Sequence, residues 1–222
     1  GFDSTIRPAA PMTRMIHLVA GARPNFMKIA PIVRALRARA DAFAFRIVHT
    51  GQHYDREMSD VFFEELGIPK PDFHLEAGGG SHAQQTAKIM VAFEKVCLEH
   101  KPDLVIVVGD VNSTMACTIT AKKLGIRVAH VEAGLRSRDM SMPEEINRLC
   151  TDVLCDYLFT TDHFADENLR AEGVPDEKIF FVGNVMIDTL LKHRKMAAAL
   201  SLREELGLQP KGYATLTLHR PS

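Results

Sequence analysis

Apolar runs and amphipathic stretches alternate along this chain almost without interruption. The runs MIHLVAG (15–21), FAFRIVHTG (43–51), FHLEA (73–77), DLVIVVGD (103–110), RVAHVEA (127–133), YLFTTD (157–162) and KIFFVGN (178–184) are short and rich in Val, Ile and Phe. Several are continuously apolar, as expected of parallel strands covered on both faces. Between them lie stretches of helical period at 28–39, 56–67, 84–100, 113–125, 145–156, 165–173 and 185–200. Gly67, Gly125 and Gly173 stand where three of these stretches end, as helix-terminating glycines do. The βαβα alternation predicts an α/β fold, a doubly wound parallel sheet of Rossmann-like type.

Three segments follow. Residues 1–13 carry Gly, Ser, Pro and Ala without an apolar run, so they read as a flexible tail and not as a signal peptide. Residues 14–185 form the Rossmann-like domain. Residues 186–222 read as a linker helix and then a strand, YATLTL (213–218), that ends at His219 and Arg220. A strand without its following helix is an incomplete α/β unit. The expectation is a fragment cut just inside a second domain.

In a doubly wound sheet, ligands bind beyond the carboxyl ends of the strands, where helix N-termini also point. The tips are Gly21-Ala22-Arg23, Thr50-Gly51-Gln52-His53, Gly109-Asp110, Glu132-Ala133-Gly134, Thr161-Asp162-His163 and Gly183-Asn184. GARPNFMK (21–28) opens a helix whose free N–H groups and dipole attract phosphate, with Arg23 as a bidentate donor and Lys28 as a point charge. The plain alternative is an exposed first turn. No P-loop or G-x-G-x-x-G is present there. Asp110 suits an N-cap, but Asn112 or Ser113 can cap equally well and free it for chemistry. Glu132, at a buried tip, needs a partner such as Arg136 or Arg138, or a function. Glu144 and Glu145 follow Pro143 and complement a helix dipole; one of them could face a pocket. Glu145 and Arg148 are spaced for a surface pair. Asp188 reads as a cap or an interdomain contact.

Composition narrows the partners. The chain is 46% hydrophobic and 25% charged with a net charge of −1, which gives no reason to expect nucleic acid. No run reaches the roughly 18 apolar residues of a membrane helix. The basic residues of the first forty positions read as a solvated helix face. Cys97, Cys117, Cys150 and Cys155 form no C-x-x-C pair and read as buried free thiols of a reducing cytoplasm. The ten histidines show no H-x-x-x-H or H-E-x-x-H spacing, so no metal site is expected.

Seven motifs, GARPNFMKIAP, HTGQHYD, VVGD, HVEAGLRS, MPEEINR, VGNVMIDTL and LTLHR, occur in order between residues 15 and 220. Singly they are weak; in this order and spacing they are specific. The chain thereby resembles the non-hydrolysing UDP-N-acetylglucosamine 2-epimerases. The resemblance implies one half of a GT-B-like pair of Rossmann-like domains, with a UDP-sugar in the cleft, no NAD or metal, and a homodimer formed through helices of this first domain. It implies elimination of UDP to 2-acetamidoglucal and re-addition with the proton on the other face of C2. Two faces of one carbon call for two acid/base groups. Motif by motif, these fall on Asp110, Glu132 and Glu144. Arg23, Lys28 and His219 match the phosphate side, where cations support the departing diphosphate. The catalytic set is thus Asp110, Glu132, Glu144 and His219; Arg23, Lys28, Arg136, Asn184 and Arg220 are the expected substrate contacts. Of the glutamate pair, the resemblance favours Glu144 for chemistry and Glu145 for helix support.

Two departures matter. Family members activated by their own substrate carry a glutamine three positions after the first Gln of the QH motif; here that position is Asp55, which argues against such activation. The family also continues beyond LHR, so these 222 residues alone are expected to show little or no epimerase activity. Competing readings are the same chemistry on another UDP-2-acetamido sugar such as a 2,3-diacetamido uronic acid, a hydrolysing epimerase, a GT-B glycosyltransferase, and a nucleotide-sugar binding module. The three acids speak against the last.

Overall fold

The apolar runs pair side by side as strands, and the helical stretches cross back over them. This computed structural model describes residues 13–51 and 56–217. The strands are β1 (Arg14–Ala20), β2 (Phe43–His49), β3 (Phe73–His74), β4 (Leu104–Val108), β5 (Arg127–Ala133), β6 (Tyr157–Thr160) and β7 (Ile179–Phe181). The helices are α1 (Arg23–Ala38), α2 (Arg56–Leu66), α3 (His82–His100), α4 (Asn112–Lys123), α5 (Pro143–Leu154), α6 (His163–Ala171), α7 (Val185–Ala198) and α8 (Leu202–Glu205). The sheet order is β3-β2-β1-β4-β5-β6-β7 and every pairing is parallel. This is the doubly wound α/β architecture that the alternation predicts.

The period of two along each strand sends alternate side chains to opposite faces. Ile16, Leu18 and Ala20 of β1 join Phe26, Ile29 and Val33 of α1 and Phe63 and Leu66 of α2 in one core layer. Val19 joins Ile89, Phe93 and Cys97 of α3 and Ala116, Cys117 and Ala121 of α4 in the other. Truncating a core aromatic such as Phe93, which is fully buried, would cost about 3–5 kcal/mol. Cys97, Cys117, Cys150 and Cys155 are free thiols. Burial pushes Cys97 up to about 12 and Cys117 and Cys155 well above the ordinary range, so these three are unreactive packing groups. Among the described residues, no helix is long and apolar enough to cross a membrane.

Three expectations need correction. FHLEA forms only a two-residue strand, because Glu76 turns into left-handed backbone (φ +53°). Residues 213–217, expected as a strand, form none; a lone β segment needs a neighbour to pair with. The helix read as a linker, α7, also packs against α1. Its Thr189 hydroxyl donates to the Met27 carbonyl at 2.7 Å, and Lys192 donates to the Leu66 carbonyl at 3.3 Å. Asp188 is not the cap of α7; Asn184 is, accepting from the Met186 N–H at 2.9 Å.

One core residue is out of keeping with its surroundings. His17 of β1 is fully buried, and neither ring nitrogen has a hydrogen-bond partner among the described residues. Its ring lies 5.6 Å from that of Phe73, which carries the Arg46 guanidinium on its face. Burial first, then the charges of His100 and Arg46, push His17 from 6.5 down to about 4. The unfolded chain therefore takes up this proton before the folded one does. Stability is intact above pH 6.5 and falls toward pH 4, at up to about 1.4 kcal/mol per pH unit. We expect His17→Leu to leave the Tm at pH 7 equal or higher and to flatten its fall between pH 7 and pH 5. Thermal unfolding followed by circular dichroism checks this; equal slopes in both proteins would contradict it.

Candidate active site

β1 and β4 are neighbours whose following helices lie on opposite faces of the sheet. Their carboxyl ends therefore open a crevice, the position where doubly wound sheets bind ligands. On the β1 side the chain turns at Gly21 and Ala22 into α1. Asn25 fixes this turn, its Oδ1 accepting from the N–H groups of Gly21 at 3.0 Å and Ala22 at 2.9 Å. Arg23 is exposed, with its guanidinium 4.9 Å from the centre of the Phe62 ring. On the β4 side, Gly109 takes a left-handed conformation (φ +68°). A methyl group there would come within 2.9 Å of Lys28 Nζ and 3.6 Å of Glu132 Oε2, so a side chain would strain the backbone and press on the lysine.

Two of the three expected acids, Asp110 and Glu144, line this crevice, and the third, Glu132, stands beside Gly109 at its edge. Asp110 is not a helix cap: Val111 holds that position, without a side-chain bond, and α4 starts at Asn112. Neither Asn112 nor Ser113 caps it. Asn112 instead bonds to Gln85 at 2.6 Å and to His82 at 3.0 Å. Asp110 accepts from Arg148 Nη1 at 3.0 Å. Asp110 and Glu144 line one cavity of about 210 Å³, together with Gly21, Ala22, His82 and Gln85. Glu132 lies against Gly109, one residue before Asp110. It sits at an irregularity of register between β5 and β6 with φ +72°, a conformation that costs a non-glycine residue on the order of 1–3 kcal/mol.

The partner of Glu132 differs from the expectation. It is Lys28 of α1, in direct contact through Oε2, and not Arg136 or Arg138. Both side chains are largely buried, at 16% and 11% exposure, so the pair offsets the desolvation of either charge. Lys28, expected to face phosphate, thus carries a protein carboxylate. Arg136, expected at the substrate, is 3% exposed and bonds to Asp152 at 2.8 Å and to Glu172 at 2.6 and 2.7 Å. Arg138 Nη2 donates to Asn168 at 2.8 Å. Asn184 is exposed and caps α7. His219 and Arg220, and Gln52, His53 and Asp55 of the QH motif, lie outside the described residues.

Glu145 does pair with Arg148, at 3.1 Å, but not on the surface: it is 2% exposed. Its carboxylate accepts from the N–H and hydroxyl of Ser137 and from the N–H of Arg138. Burial alone would push Glu145 up; these donors and Arg148 outweigh it and hold the carboxyl below its ordinary value. Glu145 therefore ties the 134–142 loop to α5, and Arg148 bridges it to Asp110. His82, Gln85 and Asn147, which donates to the Asp110 carbonyl at 2.8 Å, escaped the sequence reading. The signal was available for the first two: α3 starts after β3 on the same edge of the sheet, and its first turn belongs among the strand tips. Among the described residues, no group of three or more His, Cys, Asp or Glu side chains is arranged to hold a metal ion.

The chain is similar to known proteins in sequence and in fold. The sequence profile of the UDP-N-acetylglucosamine 2-epimerase family matches residues 34–222. A UDP-N-acetylglucosamine 2-epimerase of Methanocaldococcus jannaschii is 47% identical over 183 residues, 82% of this chain and 49% of that one. A UDP-2,3-diacetamido-2,3-dideoxy-D-glucuronate 2-epimerase of Pseudomonas aeruginosa is 44% identical over 205 residues, 91% of this chain and 56% of that one. A crystal structure of the Methanocaldococcus jannaschii UDP-GlcNAc 2-epimerase with UDP-GlcNAc and UDP superimposes with a TM-score of 0.81 at 44% identity, covering 86% of this chain and 52% of that one. The chain spans about half the length of the relatives it matches. With the profile extending over most of its residues, and the acids of the strand tips gathered where such a sheet binds ligands, the chain belongs to the UDP-N-acetylglucosamine 2-epimerase family.

Proposed function

We propose that this domain supplies the acid/base half of an enzyme that interconverts UDP-N-acetylglucosamine and UDP-N-acetylmannosamine. One observation carries the reading. Asp110 and Glu144 line a single cavity at the sheet's switch point, with Glu132 beside Gly109. In the proposed reaction a carboxylate takes the proton from sugar C2 while the C1–O bond breaks and its electrons leave with UDP. The C1=C2 double bond of 2-acetamidoglucal results. UDP then re-adds at C1 as a second acid delivers a proton to the opposite face of C2. Acids held in unlike environments suit opposite tasks. Glu132 carries a lysine, Asp110 an arginine, and Glu144 stands on the first turn of α5. The positive end of the α1 dipole, with exposed Arg23, suits the diphosphate. The 44% identity to the diacetamido-uronate epimerase supports a second reading, the same chemistry on that sugar.

The full-length protein incubated with UDP-GlcNAc in D2O should place deuterium at C2 as UDP-ManNAc forms, seen by NMR. Exchange only with the diacetamido uronate would transfer the assignment to that substrate, and UDP release only on adding an acceptor would indicate a transferase. The two adjacent glutamates should separate by readout. Glu144→Gln is expected to lower turnover by about 10²–10⁴-fold with the Tm within about 2 °C. Glu145→Gln is expected to cost about 2 kcal/mol by leaving buried donors unpaired, a fall in Tm of roughly 5 °C. A crippling Glu145→Gln beside a mild Glu144→Gln would reverse these roles.

A further inference from the structure

His130 is fully buried in β5, two residues before Glu132, and its ring spans two elements. Nε2 lies 2.8 Å from the Gly109 carbonyl. A carbonyl only accepts, so Nε2 carries the hydrogen and donates. Nδ1 lies 2.6 Å from Asp152 Oδ1. Asp152, on α5, is 2% exposed; its Oδ2 accepts from the Gly134 N–H at 3.0 Å and from Arg136 Nη1 at 2.8 Å. The Gly109 N–H in turn donates to the Val131 carbonyl at 3.0 Å. Both polar groups of the Gly109 backbone are thus held by the two residues that flank Glu132 on its N-terminal side.

Each end of this network is a segment that carries one of the acids. Gly109 precedes Asp110. Gly134 lies two residues after Glu132, and both take left-handed backbone, at φ +78° and +72°. Asp152 lies on the helix whose first turn carries Glu144. A residue held in left-handed backbone persists only where its surroundings over-determine it, and the contacts at Gly109 and Gly134 bracket Glu132 on both sides. A buried histidine–aspartate pair is costly to desolvate, and hydrophobic packing of β5 on α5 has no need of it. We propose that His130 and Asp152 are positioning residues, which fix the mutual placement of Asp110, Glu132 and Glu144 without touching substrate. This inference rests on the proposed epimerase reading for its kinetic part alone.

Two pairs of variants test it. His130→Gln sets an amide N–H near the Nε2 position and keeps the donor to Gly109, whereas His130→Asn reaches only the Nδ1 position and loses it. Asp152→Asn keeps an acceptor for Gly134, and Asp152→Ala has none. In the full-length protein, His130→Asn and Asp152→Ala should lower kcat by about 10²-fold with KM within about threefold, as a displacement of about 1 Å does. The conservative variants should recover to within about tenfold of the unaltered enzyme. Folded His130→Asn with unchanged kcat, or losses that fall in KM alone, would overturn the proposal. Should the disruptive variants not fold, the unaltered chain and the conservative Asp152→Asn still decide it. In ¹H–¹⁵N NMR the His130 Nε2–H should exchange slowly, and Asp152→Asn should shift the Gly109, Glu132 and Gly134 amides; exchange as fast as in free imidazole would refute the bridge. If the unaltered protein moves no C2 proton on either sugar, the epimerase reading fails, and these NMR results alone uphold or overturn the positioning role.

Discussion

The contact between Lys28 and Glu132 joins residues 104 positions apart and passes across the end of a strand that belongs to neither. Lys28 stands on the helix that follows β1, Glu132 at the tip of β5, and β4 lies between those strands. The strand in the middle therefore ends most easily without a side chain. Gly109 meets that demand, and its left-handed turn then sends Asp110 into the crevice. A carboxylate at the end of a buried strand is tenable only with such a cation. Removing one member of a fully buried pair costs about 3–5 kcal/mol, and somewhat less here, where a tenth or more of each side chain remains exposed. The sheet order, the glycine and the lysine are one constraint seen from three sides.

Four of the acids in this region are tied to cations or hydrogen-bond donors, two of them to the same arginine. Glu132 meets Lys28 and Asp110 meets Arg148. Glu145 meets backbone N–H groups and Arg148, and Asp152 meets His130 and Arg136. Burial pushes Asp152 up, and the His130 and Arg136 contacts outweigh it and hold it below its usual range. Carboxylates crowded at one edge of a sheet would repel one another if left bare; pairing them with cations and N–H donors, Arg148 serving both Asp110 and Glu145, lets them coexist while their environments differ.

Periodicity made the strand and helix pattern legible, along with the edge of the sheet on which the chemistry gathers, because both follow from the spacing of apolar positions. The partner of Glu132 was not legible. Arg136 and Arg138 are near in sequence, but proximity in the fold is set by strand order, which places α1 opposite β5. The burial of Glu145 was also hidden. Neighbouring helix positions differ by about 100°, so one glutamate of the pair had to face inward, yet the pattern could not say that the inward one would serve a loop and not a pocket. His130 looked like one more residue of an apolar run, since nothing local marks a histidine whose partners lie on another strand and a helix. The segment 213–217 carried a strand pattern, but pairing depends on neighbours that a local pattern does not contain.

The order of the strands also bears on how the domain comes into being. β1 pairs with β2, close in sequence, and with β4, next to which the Asp103 N–H donates to the Met15 carbonyl and the Met15 N–H to the Asp103 carboxylate, across 88 positions. The chain completes β1–β2–β3 on one side, then passes back over β2 and β1 to begin β4–β5–β6–β7 on the other. Closing so long a loop carries an entropic cost before any contact offsets it, and folds dominated by such contacts form slowly. The crevice lies on that seam. Lys28 belongs to the first half, and Asp110, Glu132 and Glu144 to the second, so the Lys28–Glu132 contact and the full lining of the crevice exist only once the two halves have docked.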